Sequence, residues 1–274
     1  MRILNIAIQG VPGSFHHQVA LAQFGENTEI LSFNTFEPVA KSVANGDADF
    51  AVMAIENSIA GAIFPNYELL DRYELTIRDE VYLPIAHQLM ALPGQKIEDI
   101  KEVRSHPMAL LQCKSFFAEH PNIELKDDID TASVAKQITS ENWKGIGAIA
   151  STIAADIYGL EILARDIQTV KNNFTRFIIL QKQKEQLDFT PNKASIKVTL
   201  KNEKGILAKL LTLMSKKGLD LSKIQSVPVI QKPWEYSFFI DTVFDKHEVF
   251  KKTMQEIQDK FGEVKIFGEY LSRK

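Results

Sequence analysis

The segment Asn173-Phe174-Thr175-Arg176-Phe177 combines amide, hydroxyl and guanidinium groups within five residues. The apolar run Ile178-Ile179-Leu180 follows at once and predicts a buried strand. Open α/β folds bind ligands at the ends of such strands. Arginine forks onto carboxylates, and a threonine hydroxyl can donate one well-directed proton. The segment therefore indicates a site for a small anionic substrate, although Thr and Phe are also ordinary strand residues.

A second pattern recurs in the first two-thirds of the chain: a strand, a short hydroxyl- or amide-bearing segment, and a predicted helix start. It occurs at Gly13-Ser14, Glu56-Asn57-Ser58, Ser105-His106-Pro107, Thr131-Ala132-Ser133 and Ser151-Thr152. Each helix start offers free backbone N–H groups and a partial positive charge, which suit carboxylates. Each segment alone is most simply a helix cap, and together they predict a polar cleft that holds an anion.

Two of these segments contain further candidate ligands. Glu56 and Asn57 directly follow the buried run that ends at Ile55, so their side chains are either solvated or directed at a ligand. Gln112 lies seven residues after Ser105, and at about 100° per residue the two would share one helix face. We expect Gln112 either to contact the far end of a ligand or to be half-exposed.

The sequence lacks the usual motifs of cofactor and metal chemistry. It has no phosphate-binding glycine loop, no HExxH and no nucleophile elbow. His16 and His17 are adjacent, and adjacent helical side chains point in different directions. The single Cys113 excludes an internal disulfide and a cysteine-rich metal site. We therefore expect no metal site.

Length and composition fit an ordinary globular protein of about two domains. The chain has 274 residues, of which 45% are hydrophobic and 24% charged. A net charge of −3 argues against a nucleic-acid partner. The apolar runs are far shorter than the ~20 residues that a membrane helix needs. These features predict a cytoplasmic enzyme or regulator.

The first two-thirds of the chain alternates strand and helix, which predicts an α/β fold with a largely parallel sheet. The predicted strands are 3–8, 50–55, 80–92 and 147–150. The predicted helices run from Ser14 to Gly25, from Thr35 to Val43, from Ser105 to Glu119, from Asp130-Thr131 onward, and from Ser151 to Gly159.

A polar stretch with a proline then marks a linker, which places domain boundaries at 1–182, 183–193 (linker) and 194–274. The last domain is predicted to be a βαββαβ, ferredoxin-like unit. Its predicted elements are strand 196–200, helix 205–217, strand 221–230, strand 236–243, helix 247–261 and strand 264–270.

The combined motifs resemble those of the prephenate dehydratases. The segments in family order are Gly10-x-Pro12-Gly13-Ser14-Phe15, Glu56-Asn57-Ser58-x-x-Gly61, Ser105-His106-Pro107 with Gln112, Thr131-Ala132-Ser133 and Asn173-Phe174-Thr175-Arg176-Phe177. The C-terminal unit resembles the ACT domain that follows the catalytic part in that family. The resemblance covers nearly the whole chain.

The resemblance implies a two-lobed catalytic domain, like type II periplasmic binding proteins, followed by an ACT regulatory domain. It implies a cofactor-free lyase that converts prephenate to phenylpyruvate for phenylalanine biosynthesis. By position, Thr175 and Glu56 would be catalytic, with Thr175 assisting departure of the hydroxyl. The implied substrate-binding residues are Asn57, Ser58, Ser105, Gln112, Arg176 and Phe177, and the implied effector-binding residues are Asn202, Gly205, Ile206, Leu207 and Ser226.

L-Phenylalanine is the implied allosteric effector, and paired ACT domains imply a homodimer or homotetramer. The sequence departs from the family at Met108, where Gln is usual, and at His16 and His17, where small hydroxyl residues are more frequent. Lys204 replaces a usual Pro, and Gln225-Ser226-Val227-Pro228 replaces Glu-Ser-Arg-Pro, which weakens the expectation of phenylalanine control. Arogenate dehydratase and a non-catalytic carboxylate-sensing module are the alternative functions.

Overall fold

A computed structural model of the protein describes residues 2–183, 188–201, 203–228 and 236–273. These residues belong to two compact units. The first contains Met1–Leu69 and Val81–Phe177, and the second contains Leu70–Glu80 and Ile178–Lys274. No helix within the described residues is both long enough and apolar enough to cross a membrane.

The described residues form a mixed α/β fold. The strands are β1 (Leu4–Gln9), β2 (Thr28–Phe33), β3 (Phe50–Asn57), β4 (Gly61–Ala62), β5 (Thr76–Pro84), β6 (Gln88–Ala91), β7 (Glu102–Ser105), β8 (Glu124–Asp127), β9 (Ile146–Ala150), β10 (Glu161–Ala164), β11 (Phe174–Gln181), β12 (Lys193–Leu200), β13 (Asp220–Pro228), β14 (Tyr236–Val243) and β15 (Gly262–Tyr270). The helices are α1 (Phe15–Phe24), α2 (Phe36–Asn45), α3 (Phe64–Arg72), α4 (Pro107–Gln112), α5 (Lys114–Ala118), α6 (Thr131–Ser140), α7 (Thr152–Tyr158), α8 (Ile206–Lys216) and α9 (His247–Lys260), with a 3₁₀ turn at Ile97–Asp99.

Strands β1 to β11 form two sheets. The first has the order β2-β1-β3-β11-β5, with β4 paired to β3, and the second has the order β10-β6-β9-β7-β8. β1 is parallel to β2 and β3, and β7 is parallel to β8 and β9. β6 is antiparallel to β9 and β10, so the second sheet is mixed rather than wholly parallel.

The second sheet is covered on both faces. Leu89 and Met90 are adjacent and fully buried, and alternation along β6 sends their side chains into different apolar clusters. Leu89 packs with residues of α4 and α5, and Met90 packs with residues of α6 and α7. A strand covered on both faces needs a run of apolar residues, which explains why the sequence predicted β9.

The predicted strand over 80–92 is wrong as a single element, because the chain changes sheet within it. β5 ends at Pro84, and β6 begins at Gln88 in the other sheet. Between them the Ile85 N–H donates to Asn173 O at 2.8 Å, and the His87 N–H donates to Gln168 Oε1 at 2.9 Å. These backbone groups are satisfied by the segment between β10 and β11, which crosses back to the first sheet.

Several predicted helix ends are confirmed. Ser14 Oγ accepts from the His17 N–H at 3.2 Å, Ser151 Oγ accepts from the Ala154 N–H, and Gly25 and Gly159 follow the last turns of α1 and α7. Thr35 precedes α2 as expected, but its side chain makes no capping hydrogen bond.

The predicted helix from Ser105 to Glu119 needs correction. Ser105 is the last residue of β7, and the cap of α4 is His106, whose Nδ1 accepts from the Met108 N–H at 3.2 Å. The helix also breaks at Cys113 into α4 and α5. Ser105 and Gln112 therefore do not share a helix face. Strands β2, β8 and β10 and helix α3 were not predicted.

The second unit confirms the predicted βαββαβ order with β12, α8, β13, β14, α9 and β15. Its sheet is antiparallel in the order β13-β14-β12-β15. Buried apolar residues of α8 and α9, such as Leu210, Met214 and Phe250, pack against the sheet. The predicted strand 221–230 is observed as far as Pro228, and residues 229–230 lie outside the described residues.

The predicted linker is flanked by Gln181 at the end of β11 and Lys193 at the start of β12. Residues 184–187 within it lie outside the described residues. The boundaries at 182 and 194 stay predictions. No pattern in the sequence indicated that residues 70–80 belong to the second unit.

A buried ion pair lies inside the second unit. Lys193 Nζ contacts both carboxylate oxygens of Glu80 at 2.8 and 2.9 Å, and the two side chains are 1% and 0% exposed. The Arg273 N–H also donates to Glu80 Oε1 at 3.2 Å. Because both charges have left water, their contact offsets part of the free-energy cost of burying them.

Removing one partner should therefore be costly. We expect Lys193→Met or Glu80→Met alone to lower the free energy of unfolding by about 3–5 kcal/mol, since each removes the opposite charge that contacts a buried charged group. The double variant should lose clearly less than the sum, and urea unfolding measures all three. Lys251→Met, which breaks an exposed pair with Glu248, is the control and should change little. Additive single losses would contradict this coupling.

Candidate active site

A cavity of about 560 Å³ lies within the first unit. Its polar lining comes from helix starts and strand ends, namely Gln9, Ser14, His16, Asn34, Thr35, Asn57, His87, His106, Gln112, Asp130, Thr131 and Thr175. Four of the five segments predicted from sequence contribute to it, through Ser14, Asn57, His106 and Thr131. The fifth does not, because Ser151 caps α7 and its hydroxyl donates to Gly13 O at 2.6 Å.

The Asn57 side chain has one possible orientation in this site. Its Oδ1 accepts hydrogen bonds from the backbone N–H groups of Ile59 and Ala60 at 3.0 and 2.9 Å. A backbone N–H can only donate, so the oxygen must face these groups and Nδ2 must face away. Nδ2 lies 2.7 Å from Asn173 Oδ1 and 3.0 Å from Thr175 Oγ1, and it donates to both.

Thr175 is consequently placed as a hydrogen-bond donor. Its hydroxyl oxygen accepts from Asn57, which leaves its own proton free to point elsewhere. Thr175 lines the cavity and is 8% exposed. The sequence pattern placed this hydroxyl at a strand end, and β11 indeed begins one residue earlier.

The same reasoning orients the neighbouring polar groups. Because Asn173 Oδ1 is an acceptor, its Nδ2 is the donor that reaches Gln112 Oε1 at 3.0 Å. Gln112 Oε1 also lies 2.9 Å from His87 Nε2, so His87 carries its proton on Nε2. Gln112 Nε2, which has no protein partner among the described residues, keeps two N–H groups for a ligand.

The cavity offers partial charges instead of full cations. Among the described residues that line it there is no Lys or Arg. The ten-residue helices α1, α2 and α6 all begin at its wall, at Ser14-Phe15, Thr35-Phe36 and Asp130-Thr131. Their N-terminal N–H groups and dipoles favour an anion. The Asp130 carboxylate is occupied by the Ser133 N–H and hydroxyl.

Burial keeps two histidines of the site, His16 and His87, neutral. Burial lowers the pKa of His16 from 6.5 to about 3. Burial also lowers the pKa of His87, although its hydrogen bond to Gln112 acts in the opposite direction. The described residues contain no group of three or more His, Cys, Asp or Glu side chains arranged to hold a metal.

The loop before α1 is braced by α7. Gly13 O accepts from Ser151, and Pro12 O accepts from the Tyr158 hydroxyl at 2.6 Å. Gly13 has φ +91°, and a Cβ there would lie 2.9 Å from Ala154 Cα. Glycine is required at this position both for its backbone conformation and for the close approach.

Four predicted site residues do not line the cavity. Successive side chains of a strand point to opposite faces of the sheet. Glu56 therefore points to the other face of β3 from Asn57, and the buried Arg176 points to the other face of β11 from Thr175. Ser105 donates its hydroxyl proton to Ile149 O at 2.7 Å. Ser58 accepts from the Phe174 N–H at 2.9 Å and donates its own N–H to Phe174 O, which fastens β11 to the end of β3. Their roles in substrate binding or catalysis stay predictions.

Phe177 and Met108 do line the cavity, and so do two residues that were not predicted as ligands, His16 and His87. His87 belongs to the crossing segment hidden inside the predicted strand 80–92. Only the Pro84 that ends β5 signalled it. The sequence argues against His16 only as a metal ligand and gives no signal of its hydrogen-bonding role in the cavity wall.

The predicted effector residues lie in the second unit. Gly205 precedes α8 with φ +75°, Ile206 is in the apolar core, and Leu207 packs against that core. Ser226 is exposed on β13 opposite Phe238 of β14. Asn202 lies outside the described residues.

Comparison with known proteins identifies the family of this chain. The family model described as prephenate dehydratase matches residues 6–185. The chain belongs to the prephenate dehydratase family. A curated relative, arogenate dehydratase/prephenate dehydratase 1 of Arabidopsis thaliana, is 39% identical over 254 residues. That alignment covers 87% of this chain and 64% of the plant protein.

Two solved structures agree with the fold. A crystal structure of prephenate dehydratase from Arthrobacter aurescens in complex with L-Phe has a TM-score of 0.87 and 26% identity, and covers 98% of this chain and 90% of that one. A structure titled as GqqA, a novel type of quorum quenching acylase, has a TM-score of 0.88 and 27% identity, and covers 98% of both chains. The same fold is therefore found in two proteins whose titles describe different activities.

The depressed pKa of His16 predicts a pH-dependent stability. Unfolded His16 takes up a proton below pH 6.5, whereas folded His16 stays neutral down to about pH 3. The unfolded state thus binds more protons in this window, and stability falls as the pH falls from 6.5 to 3. Per pH unit, His16 should account for about 1.4 kcal/mol of this loss.

Urea unfolding of wild type and His16→Gln between pH 4 and 8 measures this contribution. We expect the wild-type curve to fall more steeply than the variant curve below pH 6, and the two to run parallel above pH 7. Equal slopes across the whole range would show that His16 is not buried as a neutral imidazole.

Proposed function

We propose that this protein converts prephenate to phenylpyruvate, carbon dioxide and water. The observation that carries the proposal is the Asn57–Thr175 contact, because it directs a hydroxyl proton away from the protein at the edge of a cavity suited to a small anion. Membership of the prephenate dehydratase family supports the same reaction.

The reaction is a 1,4-elimination across a cyclohexadiene ring. The bond between C1 and the ring carboxylate breaks, and its electron pair enters the ring as CO₂ leaves. The ring double bonds shift, and the C4–O bond breaks toward oxygen. Thr175 hydrogen-bonds the departing hydroxyl and helps to protonate it, and one solvent proton per turnover balances the water that is released. Aromatisation drives the step, so the protein needs to supply positioning and one good donor.

Substrate binding follows from the remaining donors. Gln112 Nε2 and the N-termini of α1, α2 and α6 all present N–H groups to the cavity. Hydrogen bonds to carboxylates are stronger than those between neutral groups. A dianion can therefore be held without a full positive charge.

For the finer architecture, we propose that the two sheets formed by β1 to β11 mark the two lobes of a periplasmic-binding-protein-like (type II) fold. The two crossing segments between the sheets support this. We further propose that the βαββαβ unit is an ACT domain that binds L-phenylalanine and pairs in a homodimer or homotetramer. The Arthrobacter relative, titled as a complex with L-Phe, supports the effector. A phenylalanine titration of activity tests it, and a flat response to millimolar levels would reject it.

Arogenate is the alternative substrate, and the Arabidopsis relative bears both activities in its name. Arogenate carries an amino group where prephenate has a keto oxygen, and an ammonium group would need an acceptor. The one carboxylate in the described cavity lining, Asp130, is already engaged by Ser133. This favours prephenate, and the ratio of kcat/KM for the two substrates decides between them.

Acylase activity, suggested by the name of the GqqA neighbour, fits the site less well. Amide hydrolysis needs an activated nucleophile. Thr175 Oγ1 has an amide donor beside it and, within the described chain, no base as a hydrogen-bond partner. Burial raises the pKa of the Cys113 thiol to about 12, so no thiolate forms there.

A non-catalytic carboxylate sensor would bind prephenate without turnover.

The Thr175 hydroxyl can be tested by an isosteric change. Thr175→Val removes the donor but keeps the shape, and we expect kcat on prephenate to fall about 10²- to 10⁴-fold with a small change in KM. Thr175→Ser should keep most of the activity. Phenylpyruvate absorbance in alkali measures both. A valine variant with near-wild-type kcat would reject the role of this hydroxyl.

Asn57→Asp tests the direction of the Asn57–Thr175 hydrogen bond. The variant replaces the Nδ2 donor with a carboxylate oxygen, so the Thr175 proton should turn toward that oxygen and be lost to the substrate. We expect kcat to fall about as far as in Thr175→Val, while the fold is kept. Asn45→Asp, the same charge change at an exposed amide of α2, is the control and should leave kcat unchanged. Full activity of the Asn57 variant would overturn the proposed orientation.

A further inference from the structure

His16 is a second hydrogen-bond donor in the cavity wall. Its Nε2 accepts the Ala54 backbone N–H at 3.3 Å. A nitrogen that accepts cannot carry the proton, so the proton of the neutral ring is on Nδ1. The residue is 8% exposed and lines the cavity, and Nδ1 has no partner among the described residues.

The ring of His16 is held rigidly in an apolar setting. Phe36 and Phe177 pack against it, with ring centroids 5.5 and 5.0 Å away. The carbonyl of Ala54, the residue whose N–H binds His16, accepts from Asn66 Nδ2 at 2.7 Å. This hydrogen bond holds the Ala54 backbone in place and thereby also positions the His16 ring. The side chain is only 8% exposed, and a hydrogen bond to a ligand is stronger where a group is buried.

His16 and Thr175 are two separate donors in the wall of one cavity. Thr175 and Phe177 are two residues apart on one face of β11, or about 7 Å along the strand. His16 contacts Phe177 edge-on, and His16, Phe177 and Thr175 all line the cavity. In prephenate the hydroxyl and the ring carboxylate occupy opposite ends of the ring.

We propose that His16 Nδ1 donates a hydrogen bond to the ring carboxylate of prephenate, the group that leaves as CO₂. This rests on the function proposed above. The contact orients the carboxylate for departure while Thr175 holds the hydroxyl at the other end of the ring.

A neutral donor suits this task better than a cation. The carboxylate must lose its negative charge as the C–C bond breaks, and a full positive charge would stabilise the ground state more than the transition state. Burial keeps His16 uncharged at the pH where the enzyme works, since its pKa is lowered to about 3. The ring therefore positions the leaving group without retaining it.

Two ligands separate this role from a structural one. Prephenate carries the ring carboxylate, and the product phenylpyruvate does not. We expect His16→Leu to lower kcat/KM for prephenate about 10- to 100-fold, mostly through KM, because the contact is made in the ground state. The inhibition constant of phenylpyruvate should stay within about twofold. His16→Asn retains an N–H donor and should recover part of the loss.

His120→Leu is the matched control, since its side chain does not line the cavity, and it should leave both constants unchanged. Equal weakening of prephenate and phenylpyruvate in His16→Leu would overturn the proposal, and so would an unchanged kcat/KM. An inactive wild-type protein would instead reject the proposed function itself, so the two failures are distinguishable.

Nitrogen NMR tests the contact without removing the side chain. In Thr175→Val, which should bind prephenate with little turnover, the His16 Nδ1 resonance should shift on addition of prephenate and stay in place on addition of phenylpyruvate. A resonance that is insensitive to prephenate, or that responds equally to both ligands, would overturn the assignment.

Discussion

The site depends on two backbone N–H groups that bind one amide oxygen. Ile59 and Ala60 hold Asn57 Oδ1, and this single constraint determines which way every later group must point. Asn57 Nδ2 donates to Thr175 and Asn173, and Asn173 Nδ2 donates to Gln112. Gln112 Oε1 also accepts a hydrogen bond from His87 Nε2. Amide groups in solution would sample both orientations, so the turn after β3 converts flexible side chains into a directional array. A preorganised donor costs no reorganisation when the reaction occurs.

The array crosses from one sheet to the other through the two connecting segments. Asn57 follows β3 of the first sheet and Gln112 ends α4 beside the second, while Asn173 and His87 belong to the crossings between them. The crossings are hydrogen-bonded to each other at three places, including Ile167 N to His87 O at 2.9 Å. A continuous series of hydrogen bonds therefore links the first sheet, at Asn57, to Gln112 beside the second sheet.

Uncharged groups account both for binding of the substrate and for the departure of CO₂ in the proposed reaction. The N-termini of three helices and the amides supply attraction for the substrate without lysine or arginine in the described lining. His16 and His87 are kept uncharged by burial. A charge-poor wall stabilises two carboxylates enough to bind them and lets one of them depart as an uncharged molecule. Arg176 lies on the opposite face of β11, so the permanent charge in the Thr175-Arg176 pair is directed away from the cavity.

Periodicity, caps and glycines determined most elements from the sequence alone. The limits of α1 followed from Ser14 and Gly25, and the second unit followed from apolar runs of strand and helix length, because these signals are local. The sequence also placed Thr175 and Asn57 at strand ends. Tertiary structure decided which face each side chain occupies, so that Glu56 and Arg176 do not line the cavity whereas His16 and His87 do. It also divided the segment 80–92 between two sheets and paired Glu80 with Lys193, since contacts between residues distant in the chain leave no periodic signal in the sequence.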